Sequence, residues 1–435
     1  MRISVIGCGY LGAVHAACMA DLGHDVVGID VDAGKIATLS AGEAPFFEPG
    51  LPEALRRALD SGRLRFTTDL AEAAGAQVHF VAVGTPQTAG SDAADLTYVD
   101  AAVSGLVPHL SAGDLVVGKS TVPVGTASRL ADLVRASSGA DLAWNPEFLR
   151  EGFAVADTVA PDRFVYGVPS GEAGQRATAM LDEVYATALA TGTPRLVTDY
   201  ATAELVKVSA NAFLATKISF INAMAEIAEA TGADVTQLAD AIGHDARIGR
   251  RFLNAGLGFG GGCLPKDIRA FQARTRELGL DSLDFLADVD AVNLRRRDRV
   301  VALAGEMLSG DVSGSRVAVL GVAFKPDSDD VRDSPALDVA RRLADAGADV
   351  VVHDPEANAT AARLAPALSY VDDVSSAVRW ADLVLVLTEW KQFKALRPAD
   401  LAPLVAHARL VDARNVFDPS EWRAAGFEYR GLGRP

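Results

Sequence analysis

The chain has 435 residues, a length that suggests about three domains. Its hydrophobic fraction of 49% supports packed cores and is too high for a disordered protein. Its 41 basic and 57 acidic side chains give a net charge of −16, which disfavours nucleic-acid binding because like charges repel. Three cysteines without a CxxC motif exclude a disulfide framework and a cysteine-based zinc site, and they are typical of a reducing compartment, the cytoplasm.

The apolar run over residues 3–20 resembles a signal peptide only loosely. Three glycines and His15 interrupt it, and a strand, a turn and a helix account for it better. No other stretch approaches the roughly 20 apolar residues that a membrane span requires. We therefore expect no signal peptide and no membrane partner.

The first 30 residues predict a strand, a glycine loop, a helix and a second strand. Residues 2–6 are expected to form a buried strand, and Gly7-Cys8-Gly9-Tyr10-Leu11-Gly12 is expected to form the loop. A helix of small residues then runs to about Leu22, and a strand over 25–29 ends at Asp30. A glycine loop in this context is typical of a dinucleotide site.

The glycines and Asp30 predict NAD as the cofactor. Gly7 permits a tight turn, Gly9 lets a pyrophosphate approach the backbone, and Gly12 lets the helix pack against the strand. The helix N-terminus stabilises the phosphate charge. Asp30 can accept hydrogen bonds from ribose hydroxyls and would repel the 2′-phosphate of NADP. Lys35 could reach the same ribose or lie on the surface.

Two further apolar strands, over 78–83 and 114–117, are each followed by a small polar loop. The loops are Gly84-Thr85-Pro86 and residues 119–123, which include Ser120 and Thr121. Ligands collect at the carboxyl ends of strands in parallel sheets, so both loops are candidate ligand contacts.

The pattern changes at about residue 201. Apolar residues recur at helical spacing without glycine or proline until Gly232, which predicts one long helix with a wide apolar stripe. The stripe consists of Leu205, Val208, Ala212, Ala215, Ile218, Ile221 and Ala225. We interpret this region as a helical domain that also forms a subunit interface.

Alternating strands and helices return at Arg316, without a second GxGxxG motif. The predicted fold class is therefore α/β, with two Rossmann-like, doubly wound parallel-sheet domains joined by a central helical domain that contains the long helix. The predicted boundaries are 1–198 for the first domain, 199–300 for the central domain and 301–435 for the last.

The segment 256–262 holds five glycines in seven residues and is directly followed by Cys263. Such a loop lets the backbone approach a ligand closely. A cysteine near a helix start and Lys266 should have a stabilised thiolate, which is a good nucleophile towards an aldehyde. Cys8 and Cys18 lack this setting and are interpreted as structural.

Residues 256–267 resemble the GxGFGGxCxPKD signature of the UDP-glucose/GDP-mannose dehydrogenase family. The residue before the cysteine is usually serine in that family and is Gly262 here. The resemblance extends along the whole chain, through the glycine loop 7–12, 84–86, 120–123, 145–152, Lys207 with Asn211, 321–325, 329–332, 388–390 and 412–415.

The resemblance implies an NAD-dependent, four-electron oxidation at C6 of a nucleotide sugar. The alcohol of UDP-glucose would become an aldehyde, Cys263 would add to form a thiohemiacetal, and a second oxidation would leave a thioester. Water would then release UDP-glucuronate, a precursor for polysaccharide biosynthesis, after two NADH have formed. GDP-mannose and UDP-N-acetylhexosamines are the alternative substrates.

The resemblance also assigns roles near the reacting carbon. Lys207 would stabilise developing oxyanions, and Asn211, one helical turn later, would hold the same oxygen. Asp267 and Thr121 would position a water that relays the proton. Glu147 is the candidate for activating water on the thioester.

The same resemblance supplies two sets of binding residues. The cofactor set comprises Gly7, Gly9, Tyr10, Leu11, Gly12, Asp30, Lys35, Gly84, Thr85, Ser120, Thr121, Glu151, Cys263, Lys266 and Arg332. The nucleotide-sugar set comprises Phe148, Leu149, Arg150, Glu151, Lys207, Asn211, Arg247, Asn254, Gly258, Phe259, Gly260, Phe324, Lys325 and Arg414.

The resemblance further implies that Arg247 comes from a second subunit, and therefore that the protein is a homodimer. The seven scattered histidines show no metal-ligand spacing, and no metal is expected. Two other functions stay open at this point: a two-electron hydroxyacid dehydrogenase with a similar domain order, and a non-catalytic NAD-binding regulator.

Overall fold

The structure, a computed structural model, describes all 435 residues, which group into two compact units. The first unit contains residues 1–210 and 269–280, and the second contains residues 211–268 and 281–435. None of the helices combines the length and the apolar character that a membrane crossing requires.

The first unit is built on a sheet of eight strands in the order β3-β2-β1-β4-β5-β6-β7-β8. All neighbours pair in parallel except β6 and β7, which are antiparallel. The strands are β1 (Arg2–Ile6), β2 (Asp25–Ile29), β3 (Leu64–Thr67), β4 (Val78–Val81), β5 (Leu115–Gly118), β6 (Asp141–Trp144), β7 (Phe164–Gly167) and β8 (Arg195–Thr198).

Helices cover both faces of this sheet. They are α1 (Tyr10–Asp21), α2 (Ala33–Ser40), α3 (Leu51–Asp60), α4 (Thr97–Leu106), α5 (Thr126–Ser138), α6 (Ala154–Val159), α7 (Glu172–Val184) and α8 (Ala186–Ala190). Side chains of successive strand residues point to opposite faces, so Val5 and Phe80 enter one apolar core whereas Ile6 and Val81 enter the other. Burial on both faces explains the unbroken apolar runs in the sequence.

The second unit is built on a fully parallel sheet of six strands in the order β11-β10-β9-β12-β13-β14. The strands are β9 (Arg316–Leu320), β10 (Asp349–His353), β11 (Ser369–Tyr370), β12 (Leu383–Val386), β13 (Arg409–Asp412) and β14 (Glu428–Gly431). This sheet and its helices confirm the predicted fold class.

The remaining helices include the predicted long one, α9. They are α9 (Tyr200–Thr231), α10 (Val235–Gly243), α11 (Leu264–Glu277), α12 (Phe285–Met307), α13 (Pro335–Asp345), α14 (Asn358–Leu364), α15 (Val374–Val378), α16 (Lys391–Lys394), α17 (Pro398–Leu401) and α18 (Pro419–Ala424). Ala215, Ile221 and Ala225 of the predicted α9 stripe are buried, but Leu205 is 40% exposed. The apolar face is therefore narrower than its sequence pattern indicates.

Asp354 organises the loops at the carboxyl end of the second sheet. Its buried carboxylate accepts hydrogen bonds from the N–H groups of Val322 (2.7 Å) and Ala323 (2.9 Å), which follow β9. It also accepts bonds from the N–H groups of Glu356 and Ala357 and from the Trp390 indole. One side chain thus fixes the loops after three strands.

We predict that Asp354→Ala strongly destabilises the second unit. Five donors lose their acceptor, four of them in buried residues, and the free energy of unfolding should fall by roughly 3–5 kcal/mol. Urea denaturation followed by tryptophan fluorescence measures this loss. Asp345→Ala, at the exposed end of α13, is the control. Equal midpoints for the two variants would contradict the assignment.

Candidate active site

The glycine loop of the first unit is closely packed at Gly7 and Gly12 but leaves space at Gly9. Gly7 has a φ of +90°, which favours glycine, and its N–H donates to Ile29. A Cβ added to Gly12 would lie 1.8 Å from the Gly7 oxygen, so only glycine lets α1 approach this turn. Nothing lies within 4 Å of a Cβ added to Gly9, where the backbone is free to meet a ligand.

Asp30 is positioned to receive a ribose. Its carboxylate accepts hydrogen bonds from the N–H groups of Cys8 (2.8 Å) and Asp32 (3.0 Å) and pairs with Lys35 Nζ at 2.9 Å. Burial alone would raise its pKa, but these three donors hold the pKa of the Asp30 carboxyl below its usual value. Asp30 is therefore ionised at neutral pH, and its charge disfavours a 2′-phosphate.

The loops after β4 and β5 are bonded to each other. The Thr85 hydroxyl donates to the Thr121 carbonyl at 2.9 Å, and the Ser120 hydroxyl donates to the Val83 carbonyl at 2.6 Å. Gly84 has open space where a Cβ would lie. The predicted contacts from both loops thus lie together at the carboxyl edge of the first sheet.

Glu147 lies at the start of the next loop, after β6, and both its carboxylate oxygens are engaged. Oε1 accepts the N–H groups of Phe148 (2.7 Å) and Leu149 (3.0 Å), and Oε2 is 3.1 Å from Lys119 Nζ. Lys119 is 4% exposed and also donates to Asn145 at 3.0 Å. Glu147 therefore shapes its own loop in addition to any chemistry.

Two cations lie near the Phe148 ring, whereas Arg150 forms an ion pair with a neighbouring aspartate. The Arg163 guanidinium lies 4.1 Å and Lys207 Nζ 5.4 Å from the centre of the ring, within cation–π range. Arg150 forms a two-pronged ion pair with Asp157, at 2.9 and 2.6 Å. Its charge is thus largely neutralised within the first unit.

The second unit encloses the glycine-rich loop 256–262. Asn293 accepts from the Phe259 N–H at 2.7 Å and donates to the Phe259 carbonyl at 2.9 Å, and Arg414 donates to the Gly258 carbonyl at 3.0 Å. A Cβ at Gly260 would lie 2.2 Å from the Asp333 oxygen. The glycines are thus required by close packing.

Cys263 follows this loop directly, at the N-terminal end of α11. Its side chain is exposed, and its carbonyl accepts the Asp267 N–H at 3.0 Å, which starts the helix. Asp267 is buried and accepts hydrogen bonds from Asn211 Nδ2 and Lys266 Nζ, each at 2.6 Å. The thiol thus lies at the positive end of a 14-residue helix, where a thiolate is stabilised.

Arg414 and Arg332 border the glycine-rich loop. Arg414 donates to the carbonyls of Leu387 and Gly258, but its buried Nη2 has no hydrogen-bond partner in the protein. An unpaired buried donor of this kind is suited to an oxygen-rich ligand. Arg332 pairs with Asp330 at 2.6 Å.

Other members of the predicted nucleotide-sugar set lie beside or outside this arrangement. Phe324 lies close to Gly261, and Lys325 Nζ lies 5.4 Å from the Phe324 ring. Asn254 accepts from Arg250, and the Arg247 side chain is 90% exposed and paired with Asp245 at 2.6 Å. Arg247 thus points into solvent within a single chain.

Three models of one protein family match successive parts of the chain. The NAD-binding domain of the UDP-glucose/GDP-mannose dehydrogenase family matches residues 1–189, its central domain matches 201–295, and its UDP-binding domain matches 318–419. The chain belongs to this family. The predicted NAD cofactor and dehydrogenase class are thereby confirmed.

Relatives in this family are similar to the chain over its entire length. The chain is 43% identical to the UDP-glucose 6-dehydrogenase of Rhizobium meliloti and 42% identical to that of Pseudomonas aeruginosa, covering 100% and 98% of those proteins and all of itself. A UDP-glucose dehydrogenase structure from Pyrobaculum islandicum superposes with a TM-score of 0.90 at 41% identity, covering 100% of this chain and 98% of that one.

A structure with lower sequence identity belongs to a dehydrogenase named for a different nucleotide sugar. The UDP-D-ManNAc dehydrogenase of Pyrococcus horikoshii superposes with a TM-score of 0.87 at 27% identity, covering 100% of this chain and 99% of that one. The fold of the family therefore persists across nucleotide-sugar specificities.

Three residues that bond to loops with predicted site residues were missed by the sequence analysis. Lys119 bonds to Glu147, Asn293 bonds to the backbone of Phe259, and Glu48 bonds to the loop that ends at Gly152. Lys119 directly follows a buried strand, and a lysine at that position is a usable signal for an ionic role. Glu48 is a lone charge between Phe46-Phe47 and Pro49-Gly50, and a carboxylate in such an apolar turn is a weak signal for a buried acceptor. Asn293 lies in a helix rich in charge and offers no sequence signal.

We predict that a thiol reagent at neutral pH modifies Cys263 alone. Burial and the Asp30 charge raise the pKa of Cys8 to about 12, and burial with the Asp21 charge raises the pKa of Cys18 to about 12. Both therefore stay protonated and shielded, whereas Cys263 is exposed.

Mass spectrometry after iodoacetamide treatment should show one adduct on the native protein and none on Cys263→Ser. The urea-unfolded wild-type protein, with three adducts, is the control. A native adduct on Cys8 or Cys18 would contradict the assignment.

Proposed function

We propose that this protein oxidises the C6 alcohol of UDP-glucose to UDP-glucuronate and releases two NADH. The observation that carries the proposal is the exposed Cys263 at the start of α11, directly after a glycine-rich loop and one helical turn before Asp267, to which Asn211 is bonded. The full-length relatives support the choice of UDP-glucose. A simple alcohol dehydrogenase needs no nucleophile there.

The first unit fits the cofactor. The N-terminus of α1 has no side-chain cap and no acidic residue in its first turn, so its N–H groups are available to a pyrophosphate. Gly9 leaves room for the phosphates, and Asp30 is ready to accept ribose hydroxyls. Bound NAD⁺ supplies the acceptor for the hydride that leaves C6 in each oxidation.

Cys263 holds the half-oxidised sugar. Its sulfur adds to the C6 aldehyde to give a thiohemiacetal, and loss of a second hydride from that carbon leaves a thioester. Water then breaks the carbon–sulfur bond, which yields the carboxylate and returns the thiol. The reaction consumes two NAD⁺ and one water for each UDP-glucose.

The neighbouring residues move protons and stabilise oxygens. We assign Lys207 and Asn211 to the oxygen on C6, where negative charge develops. Asp267, held by Asn211 and Lys266, positions with Thr121 a water that relays the proton.

Glu147 is assigned to the water that attacks the thioester. Its Oε1 accepts two backbone N–H groups and its Oε2 pairs with Lys119 at 3.1 Å, so the water would share Oε2 with Lys119.

We assign the cofactor set and the nucleotide-sugar set to NAD and UDP-glucose, respectively. Arg414, with its unpaired Nη2, anchors the nucleotide-sugar set together with Gly258, Phe259, Gly260 and the pair Phe324 and Lys325. Tyr10, Ser120, Glu151, Lys266 and Arg332 contact the cofactor. The three domains are assigned to 1–198, 199–300 and 301–435, and the protein is assigned to the cytoplasm.

We predict two moles of NADH per mole of UDP-glucose consumed, with UDP-glucuronate as the product. Cys263→Ser should abolish formation of the acid, with a fall in turnover of more than about a thousandfold, as for loss of other catalytic nucleophiles. Absorbance at the NADH band together with chromatography of the sugar nucleotides gives both quantities. GDP-mannose and UDP-N-acetylhexosamines, assayed in parallel, test the substrate.

Cys18→Ala is the matched control, because Cys18 is buried in α1 and takes no part in the proposed reaction. One NADH per sugar, or unchanged acid formation by Cys263→Ser, would refute the four-electron mechanism. Faster turnover of another nucleotide sugar would refute the choice of UDP-glucose.

We propose further that the protein acts as a homodimer in which Arg247 serves the partner's site. Phe213, Phe220 and Ile227 lie seven residues apart on α9 and are 67%, 49% and 54% exposed, which is typical of a helix face that a partner covers. Arg247 projects into solvent within its own chain. Both features are explained by a second subunit.

We predict that co-expressed Arg247→Ala and Cys263→Ser chains complement each other, although each variant alone is inactive. In a mixed dimer, one site combines the intact Cys263 of one chain with the intact Arg247 of the other, so random pairing should restore about a quarter of wild-type activity. Differently tagged chains allow the mixed dimer to be purified and assayed. An inactive mixed dimer would place Arg247 in its own chain's site.

A further inference from the structure

Glu48 is a buried carboxylate that the proposed mechanism does not use. It lies in the turn before α3 and is 2% exposed. Its carboxylate accepts hydrogen bonds from the Tyr10 hydroxyl, from the Gly152 N–H at 2.6 Å and from the Ala154 N–H at 2.7 Å. The Gly152 N–H also lies 3.0 Å from the Tyr10 oxygen.

These bonds join two loops that are distant in sequence. Tyr10 belongs to the glycine loop and opens α1, whereas Gly152 and Ala154 end the loop that begins at Glu147. Glu48 lies 38 residues from Tyr10 and 104 from Gly152. Phe148 to Glu151, four of the predicted sugar-nucleotide contacts of the first unit, lie between Glu147 and Gly152.

The connection is rigid for a physical reason. All three donors are neutral, so the buried charge of Glu48 depends on keeping every one of these hydrogen bonds. Burial and the bond to Glu48 raise the pKa of Tyr10 far above its ordinary value, so its hydroxyl remains a donor at neutral pH. A displacement of Tyr10 must therefore move Glu48 or break a bond to it.

We propose that Glu48 is a positioning residue that transmits occupancy of the cofactor loop through Tyr10 to residues 147–154. A cofactor bound at the glycine loop restricts Tyr10, which fixes Glu48 and thereby the amides of Gly152 and Ala154. By thermodynamic reciprocity, a sugar nucleotide bound at 147–154 strengthens cofactor binding to the same extent. The ligands of the two loops are those of the proposed function, on which this inference rests.

Amide hydrogen exchange with and without saturating NAD⁺ tests the connection without any turnover. In the wild-type protein, NAD⁺ should slow exchange at Gly152 and Ala154 by about fivefold or more. Tyr10→Phe removes the bond from the tyrosine to Glu48 and the tyrosine oxygen near the Gly152 N–H, but both amides stay bonded to Glu48. The NAD⁺-dependent slowing should disappear, most clearly at Ala154, which has no contact with Tyr10 to lose. Each variant is measured at a NAD⁺ concentration that saturates it.

Glu43→Gln, an exposed glutamate in the preceding turn, is the matched control and should behave as the wild type. Retention of the NAD⁺-dependent slowing in Tyr10→Phe would reduce Glu48 to a structural role and overturn the proposal. Absence of slowing in the wild-type protein would overturn it as well. Inactivity towards UDP-glucose would overturn the proposed function but would leave this exchange result standing.

Steady-state kinetics supply the second readout. At saturating NAD⁺, Tyr10→Phe and Glu48→Gln should each raise the KM for UDP-glucose about fivefold, and the double variant should be no worse than the poorer single one. Additive effects of the two substitutions would contradict a shared path. If Glu48→Gln fails to fold, the exchange result for Tyr10→Phe still decides.

Discussion

In each of the two units, loops depend on buried or half-buried carboxylates that accept backbone N–H groups. A parallel strand ends without partners for the amides that follow it, and an unpaired buried amide is costly. Asp30, Glu48, Glu147 and Asp354 each accept at least two such N–H groups at the carboxyl edge of a sheet. The negative charges inside the molecule thus have a structural cause before they have a catalytic one.

Asp30 and Asp354 occupy equivalent places in the two sheets, and their differences explain why only the first resembles a dinucleotide site. Gly7 and Gly321 have nearly the same φ, +90° and +93°, and each donates its N–H to the strand before the aspartate. Asp354, however, already accepts five hydrogen bonds, so its oxygens have no lone pair left for ribose hydroxyls. In addition, α13 begins at Pro335, well after Gly321, so no helix N-terminus meets the loop.

The sequence was sufficient wherever structure depends on neighbours along the chain. The strands around Gly7 and Asp30, the long helix α9 and the position of Cys263 at a helix start follow from periodicity and glycine spacing, and the structure has them. The assignments that rest on the family resemblance, such as those of Lys207 and Glu147, remain proposals. They concern roles towards a substrate, which spacing along the chain does not encode.

What the sequence could not supply are contacts between distant segments. Glu48 meets Gly152 across 104 residues, and Asn293 meets Phe259 across 34. Neither partner carries a local signal, because an amide N–H is common to nearly every residue. The exposure of Leu205 has a similar origin: a periodic pattern marks an apolar face but not how much of it the same chain covers.

Gly262 shows how a single departure from the family pattern acts through its neighbour. A Cβ at this position would lie 2.6 Å from the guanidinium carbon of Arg332 and about equally close to both terminal nitrogens, so the guanidinium lies flat against the glycine. A serine would have to displace it. The missing side chain therefore lets the Arg332 guanidinium, which is paired with Asp330, contact the residue before Cys263. Glycine in place of the family's serine thus exchanges a hydroxyl beside Cys263 for close packing against the Arg332–Asp330 ion pair.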